Sequence, residues 1–501
     1  MAATPTASEK DVTLFEEEKL GSSGQVPVGD RPSEEEWAPS DRKLNLKLDL
    51  LILPLVTIVY LLAFLDRANI GNARVAGLQE DLKISSYQYQ VAITVTYVPY
   101  IASEIPSNLI LKKIGPRIYI PSLCFSWGVI STLQCLVQNY SGLIACRFFL
   151  GLVEGGLFPG VILYLSMFYR RRELSLRIAL FWTAASLAGA FSGLLAAAII
   201  KMDGVSGMRG WRWIFCLEGL FTICWAALVF MLLPNDPRRV KFLTPEQATR
   251  CVERLKLDVD ILDHEKVTLS KVVSVFKHPG LICIWIASLS SGIAIFGLAY
   301  FTPSIVKAMG FDSIHTQLMS VPPYAAAVPL TVITCWFSDK YQARGLPMLA
   351  TYLLALIGSI MFYVGRSFAV RYAGLFFLLG GIYANVPCQV AWIANNTAGH
   401  TRRATAIAVE TVAVNIGGIV STWIFPTSDA PYYLFAAKFL LAMNIIAIVV
   451  TALALWLFSR ENSKKKRPEY REKLLSDMTD LSLAQQLEKL GDAHPDYKYV
   501  L

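Results

Sequence analysis

The chain has 501 residues, of which 54% are hydrophobic and 17% charged, and its mean hydropathy is +0.46. Soluble proteins carry roughly a quarter charged residues, so this composition excludes an ordinary assembly of soluble domains. The formal net charge of +8 resides largely in short loops between apolar segments, which is typical of a membrane protein and not of a nucleic-acid-binding one.

The N-terminal segment, residues 1–47, is rich in Glu, Ser and Pro and has no apolar core of a signal peptide. Segments of low hydrophobicity cannot bury enough apolar surface to fold alone. We therefore expect residues 1–47 to form a disordered cytoplasmic tail that is not cleaved.

Twelve apolar segments of about 20 residues follow, each long enough to cross about 30 Å of hydrocarbon. They lack the two-residue alternation of a membrane barrel, and a helix is the other structure that satisfies its backbone in lipid. The sequence predicts an all-α membrane protein. Its segments lie at residues 48–66, 88–111, 116–138, 142–168, 176–200, 211–234, 279–304, 318–338, 346–366, 371–394, 404–428 and 432–459.

A hydrophilic stretch at residues 235–278 divides the chain into two halves. We expect a six-helix bundle at 48–234, a cytoplasmic linker with an amphipathic helix beginning near Thr244, a second six-helix bundle at 279–459, and a solvated cytoplasmic tail at 460–501. Transporters built from two such halves hold their substrate between them, near the bilayer midplane.

The short loops on the side of the termini carry fourteen Lys and Arg residues, and those on the opposite side carry eight. This asymmetry predicts that both termini are cytoplasmic. Glycines four residues apart in the fourth and fifth segments, such as Gly151 and Gly155, predict close helix packing and not ligand contacts.

Charged side chains interrupt two apolar segments of the first half. The stretch "FLDRANIGNA" contains Asp66 and Arg67, and the fourth segment contains Arg147 and Glu154. Seven residues make two helical turns, so Arg147 and Glu154 share one helix face about 10.5 Å apart. Unpaired in lipid, the four charges would cost on the order of 10 kcal/mol. They must form ion pairs or line an aqueous cavity; a structural charge lattice, or snorkelling of Arg147, are the alternatives.

The polar groups of the second segment indicate a functional site less strongly than these four charges. Glu104 is expected to pair with Lys112 or Lys113 at the cytoplasmic end. Tyr97 and Tyr100 are either core aromatics or hydrogen-bond donors in a cavity.

The tenth and eleventh segments hold further candidates. Asn415 needs a partner in the membrane and favours a cavity position, whereas Glu410 is a candidate gating partner of Arg402 or Arg403. Trp392 is either an interfacial anchor or a substrate contact.

The sequence resembles the major facilitator superfamily, specifically its anion:cation symporter branch and the fungal allantoate and nicotinate permease group. The resemblance covers residues 40–460 and rests on "FLDRANIGNARVAGL", "EIPSNLILKKIGP", "RFFLGLVEGGLFPGVILYL" and "WIANNTAGHTRRATAIAV". It implies twelve transmembrane helices in two six-helix bundles. In two places the chain departs from the family pattern: Lys112 replaces an aspartate, and Glu410 stands where an amide or a small residue is expected.

The resemblance also implies roles for individual residues. Asp66 and Glu154 match acids that couple transport to protons, and Arg67 and Arg147 match arginines that bind the anion. The remaining substrate contacts implied or considered are Tyr100, Asn415 and Trp392.

The sequence therefore predicts a secondary active transporter that takes up a small organic anion, such as nicotinate, allantoate or pantothenate, with protons by alternating access. We expect a monomer in the plasma membrane, with no cofactor and no nucleic-acid partner. Enzyme activity and a metal site are not expected, because the apolar segments contain no HExxH, GxSxG or metal-ligand pattern. A nutrient sensor that does not transport and a proton-driven efflux carrier are the alternatives.

Overall fold

The structure is a computed structural model that describes residues 34–240, 243–259, 268–476, 486 and 490–501. Residues 1–33 of the predicted tail, parts of the linker and much of residues 477–489 lie outside the described residues.

Twelve long helices, α1 to α12, follow each other in the chain and correspond one to one to the predicted segments. Their bounds are Glu34–Val75, Ser86–Ile114, Pro116–Leu133, Tyr140–Ser166, Arg171–Ile199, Gly210–Leu232, Pro279–Lys307, Ser313–Lys340, Gly345–Val364, Phe368–Asn395, His400–Trp423 and Leu434–Lys465.

Eleven helices of the described chain are long and apolar enough to cross a membrane, and α2 is the one of the twelve outside this set. Its 29 residues extend about 43 Å at 1.5 Å per residue, so length is not its limitation. Glu104 and several hydroxyl side chains, among them Tyr97, Tyr100 and Ser103, make it more polar than its neighbours.

The first helix begins at Glu34, earlier than the sequence predicts. Residues 34–47 were expected to be disordered, and that part of the prediction is wrong. Leu, Lys and Arg, which dominate residues 42–48, are good helix formers, so the helix extends beyond its apolar segment. By its internal contacts the chain forms two units, Met1–Asp49 and Leu50–Leu501, and the helices and contacts discussed below belong to the second.

A helix at Pro245–Val259 lies in the linker. Thr244 and Gln247 cap its start reciprocally, each backbone N–H donating to the other side chain at 3.3 Å. The thiol of Cys251 donates to the carbonyl of Phe168, and Arg254 is fully buried. The helix therefore packs against the end of the first half.

Each half is held together by packing among its own helices, such as α3 with α6, α2 with α4, and α7 with α11 and α12. The halves meet mainly along two pairs, α5 with α8 and α2 with α11, and over a smaller area where α5 meets α10. Small residues permit this approach: a side chain at Gly189 or Gly193 would overlap Tyr324 or the carbonyl of Gln317.

The two ends of the membrane-spanning region differ. One end, called the terminal face, carries the connections near residues 115, 167–170, 233–278, 341–344 and 396–399 and the C-terminal segment. The opposite end, called the loop face, carries those near residues 76–85, 134–139, 200–209, 308–312, 365–367 and 424–433. At the loop face the halves are bonded, Tyr97 to Tyr300 at 2.7 Å and Thr94 to Thr422 at 2.9 Å. The loop face is therefore closed.

Candidate functional site

The charged residues of the first half meet where α4 breaks. The helix runs over Tyr140–Glu154 and resumes at Leu157–Ser166, with Gly155 and Gly156 between. A side chain at Gly155 would overlap the carbonyl of Tyr100 on α2, and one at Gly151 would overlap that of Thr96. The predicted close helix packing is confirmed. It places the C-terminal end of the Tyr140–Glu154 part of α4 against α2.

Arg67 and Glu154 form a buried ion pair between α1 and α4. Arg67 Nε donates to Glu154 Oε2 at 2.9 Å, with side-chain exposures of 10% and 0%. Glu154 Oε1 has no hydrogen-bond partner among the residues that the structure describes. The guanidinium carbon of Arg67 also lies 4.6 Å from the centre of the Tyr100 ring, a distance at which a cation is attracted to the ring face.

Asp66 points to a different helix from its neighbour in sequence. Successive residues of an α-helix are rotated by about 100°, so adjacent side chains cannot share a partner on one face. Ser131 on α3 donates its hydroxyl to Asp66 Oδ1 at 2.7 Å, while Oδ2 has no partner within the described ranges. Of the four charges, Arg67 and Glu154 form an expected ion pair, whereas the hydrogen-bond partner of Asp66 is a neutral hydroxyl.

Arg147 packs against α6 and is not among the residues that line the cavity described below. Only 2% of it is exposed, which rules out the snorkelling alternative. Its guanidinium carbon is 5.7 Å from the centre of the Phe215 ring on α6, and it interacts electrostatically with Asp66. Its Nε and Nη2 atoms have no hydrogen-bond partner in the described part of the chain.

Glu218 on α6 is a buried acid that was not predicted as a site residue from the sequence. Asn69 on α1 donates its side-chain amide to Glu218 Oε2 at 2.6 Å, and Oε1 has no partner among described residues. The signal was present in the sequence, because "WIFCLEGLFTICW" places one carboxyl in the middle of an apolar segment. A charge at that depth marks a functional position by default.

A cavity lies between the halves, on the terminal side of the closed contacts. Three predicted substrate residues, Arg67, Tyr100 and Asn415, line it. The aromatic side chains that contribute to its walls are Tyr60, Phe64, Phe158, Trp182 and Phe296. Concave, largely apolar sites with a few polar groups are the usual form of small-ligand sites.

Glu410 also lines this cavity, and the predicted gating pair with Arg402 or Arg403 is not formed in the structure. Arg402 pairs with Asp492 of the C-terminal segment. Arg403 donates to the carbonyl of Thr397 at 3.2 and 3.3 Å. The interpretation of Glu410 as their gating partner is therefore wrong in this conformation.

Two other predictions concern α2. Tyr97 contributes to the closed loop face through Tyr300 and is not among the residues that line the cavity described above. The side chain of Lys112 lies outside the described residues, and Lys113 is exposed. The predicted pairing of Glu104 with either lysine stays a prediction.

Trp392 is fully buried at the terminal face. Its indole N–H donates to the carbonyl of Val500 at 2.7 Å, and Asn396 makes two further hydrogen bonds with the Val500 backbone, at 2.7 and 2.9 Å. The donor of Trp392 is thus taken by the C-terminal segment. Neither proposed role, interfacial anchor or substrate contact, describes this position, so Trp392 is not retained as a site residue.

The C-terminal segment, Gly491–Leu501, was expected to be solvated, and this expectation is wrong. Asp492, His494 and Tyr499 are buried. The carbonyl of Leu501 accepts from the backbone N–H of Arg344 at 2.7 Å, and Asn462 pairs with the Tyr499 backbone. The segment therefore joins the terminal ends of several helices of the second half.

Comparison with known proteins gives a consistent assignment. The family model of the Major Facilitator Superfamily matches residues 56–422. An uncharacterised transporter of Schizosaccharomyces pombe is 32% identical over 91% of this chain and 94% of its own length. A high-affinity nicotinic acid transporter of Saccharomyces cerevisiae is 31% identical over 92% of this chain and 85% of its own.

Solved structures show the same fold. The partially occluded, inward-open xylose transporter of E. coli has a TM-score of 0.62 at 16% identity, covering 82% of this chain and 97% of its own. A bacterial homologue of the human lysosomal transporter Spinster also gives 0.62, at 15% identity, covering 82% and 96%. The predicted fold class, an all-α membrane protein of the major facilitator type, is confirmed. The chain belongs to the Major Facilitator Superfamily and is a multi-pass membrane transporter.

Proposed function

We propose that the protein is a secondary active transporter that takes up a small organic anion together with protons, as a member of the anion:cation symporter branch. One observation carries the proposal: Arg67 lines the cavity while it is paired, at 2.9 Å, with Glu154, a group that can be protonated. The similarity to a nicotinic acid transporter supports a carboxylate as the substrate.

Protonation of Glu154 would remove the negative partner of Arg67. The guanidinium keeps its charge at any physiological pH, so it then has a planar fork of N–H donors available for a carboxylate. Tyr100, under the guanidinium, and Asn415 complete the polar part of the site. Proton binding and anion binding are coupled because both act on the same guanidinium.

The charge balance of the surrounding cluster favours a resident proton. Three buried carboxyls, Asp66, Glu154 and Glu218, face two buried guanidinium groups, Arg67 and Arg147. Fully ionised, these five side chains carry a net charge of −1, and one proton makes them neutral. A charge held inside the membrane costs roughly 2.5–3.5 kcal/mol on insertion scales, so we propose that the cluster carries one proton at rest, with Asp66 and Glu154 as the exchanging sites.

The conformation indicates which side of the transporter is open and which contacts must break to open the other. We place the terminal face in the cytoplasm, since it carries the excess of Lys and Arg. The closed loop face then corresponds to an inward-facing state, and rocking of the halves must break the Tyr97–Tyr300 and Thr94–Thr422 bonds to open the other side. We expect a monomer in the plasma membrane with both termini inside.

Uptake into proteoliposomes tests the proposal. Purified protein should concentrate at least one labelled carboxylate from a panel of nicotinate, allantoate and pantothenate when the outside is acidic. Glu154→Gln mimics the protonated acid, so exchange of labelled for unlabelled substrate should survive while concentrative uptake collapses. Glu461→Gln is the matched control, because Glu461 pairs with Lys464 at a partly exposed end of α12.

Three results would contradict the proposal. Binding without accumulation favours a sensor, and net movement outward under the same gradient favours efflux. A Glu154→Gln variant that still concentrates substrate with unchanged pH dependence would show that this acid carries no coupled proton.

A further inference from the structure

The cavity contains a second ionisable side chain, which the proposed mechanism does not use. Glu410 lies on α11 in the second half, with 2% of the residue exposed. It lines the same cavity as Arg67, and its Oε1 atom has no hydrogen-bond partner in the parts of the chain that are described. A buried carboxylate oxygen without a donor has a large desolvation cost that a bound ligand can relieve.

Glu410 and Arg67 lie at different depths. Glu410 is beside Ser288 on α7, and Val414, one turn further along α11, packs against Gly292. The Arg67 guanidinium lies 5.8 Å from the ring centre of Phe296. The eight residues from Ser288 to Phe296 span about 12 Å of helix axis at 1.5 Å per residue. Arg67 therefore marks the loop end of the cavity and Glu410 its terminal end.

The space between the two charges is mostly aromatic and aliphatic. Phe158, Trp182 and Phe296 line it, and Val386 and Val390 on α10 add an aliphatic wall. A ligand that reaches both charges needs one hydrogen bond of roughly 2.8 Å at each end. A ligand that makes both bonds would place its apolar body against these aromatic and aliphatic walls.

We propose that Glu410 accepts a hydrogen bond from an N–H group or a cationic nitrogen of the substrate. The cavity would thereby select small carboxylates that carry such a donor at the opposite end of a flat or apolar body. This inference rests on the proposed function, because it assumes that Arg67 holds the carboxylate end. It adds a second recognition point on the opposite half, so that a bound substrate contacts both halves.

Two benzoates of the same shape test the inference. 4-Aminobenzoate carries an N–H donor opposite its carboxylate, and 4-methylbenzoate replaces that donor with a methyl group. Calorimetry on the full-length protein in detergent should show tighter binding of 4-aminobenzoate by about tenfold or more, the scale of a hydrogen bond to a charged acceptor. Glu410→Leu should bind both probes with equal affinity, and Glu410→Gln, which keeps a neutral acceptor, should give an intermediate ratio.

Arg67→Lys separates this inference from the proposed function. It should weaken both probes by the same factor and leave their ratio unchanged, since both carry the same carboxylate. If Arg67→Lys affects neither probe, the anion site itself is wrong. If the wild type binds neither probe or both equally, or if Glu410→Leu keeps the preference, the role of Glu410 is wrong. Loss of proton coupling in Glu410→Gln with an unchanged ratio would also overturn it, in favour of a proton site.

Discussion

Opening of the loop face should depend on the bond between Tyr97 on α2 and Tyr300 on α7. Their hydroxyls are 2.7 Å apart, and only 3% and 4% of the two residues are exposed. One hydroxyl donates and the other accepts, so each satisfies the other while the halves are closed. The bond must break when the transporter opens outward.

Removing one of the two hydroxyls should open the loop face more than removing both. Tyr97→Phe leaves the Tyr300 hydroxyl buried without its partner, which costs about 1–3 kcal/mol in the closed state. The closed population should fall by a factor of roughly 5 to 150 relative to the open one. Tyr300→Phe should have a similar effect. The double variant leaves no unsatisfied hydroxyl in this pair, and replacing both partners by apolar groups of the same shape is nearly neutral. It should therefore be more closed than either single variant.

Hydrogen–deuterium exchange, followed by mass spectrometry, measures this equilibrium. Peptides from the loop-face ends of α2 and α7, residues 86–97 and 296–307, should exchange faster in each single variant and close to the wild-type rate in the double variant. Tyr372→Phe is the matched control, because that hydroxyl donates to Met319 within the second half, at 2.8 Å. Equal exchange in all variants, or a double variant as open as the sum of the singles, would refute the role of this bond.

Three further predictions concern the proton cluster and the C-terminal segment. Glu218→Gln removes the third carboxyl facing two guanidinium groups, so uptake into proteoliposomes should depend less on an acidic external pH. Truncation after Leu490 removes the bonds from Asp492, Val500 and Leu501 to the second half, and the melting temperature of the purified protein should fall by a few degrees. His278, the residue before α7, lies against the Tyr499 hydroxyl of the docked segment. Burial holds the pKa of His278 below its usual range, so the protein binds fewer protons with the segment docked than with it released. Docking should be fully stable above that range and weaken as the pH falls through it, which limited proteolysis of the segment measures.

Much of the fold was predictable because membrane helices must be long and apolar. The prediction for α7 was 279–304 and the helix is Pro279–Lys307; that for α6 was 211–234 and the helix is Gly210–Leu232. Partners were harder to predict, because they depend on helix rotation and packing. The sequence marked Asp66 and Glu154 as important but did not identify Ser131 as the partner of Asp66.

The misses have separate physical causes. Glu218 was overlooked although its position in an apolar segment was visible. The hydrogen bond of Trp392 could not be predicted because its partner is the backbone of Val500, more than a hundred residues away. A short polar tail gives no compositional sign that it will dock, since its carbonyls and N–H groups are the same in every sequence.

The first helix explains why so many polar residues stand together in "FLDRANIGNA". Each one meets a different neighbour of the first half: Asp66 bonds to Ser131 on α3, Arg67 to Glu154 on α4, Asn69 to Glu218 on α6 and Asn72 to Ser192 on α5.

A helix of 3.6 residues per turn sends these four side chains in different directions, so α1 lies among the helices that it contacts. Small Gly71 lets the same helix approach the backbone of Tyr300 on α7. A proton that arrives at Glu154 therefore changes the charge on a helix bonded to four others and packed against the opposite half. The coupling of protonation to movement of the halves can act through α1, and a polar substitution in this stretch should alter transport more than it alters the fold of any single helix.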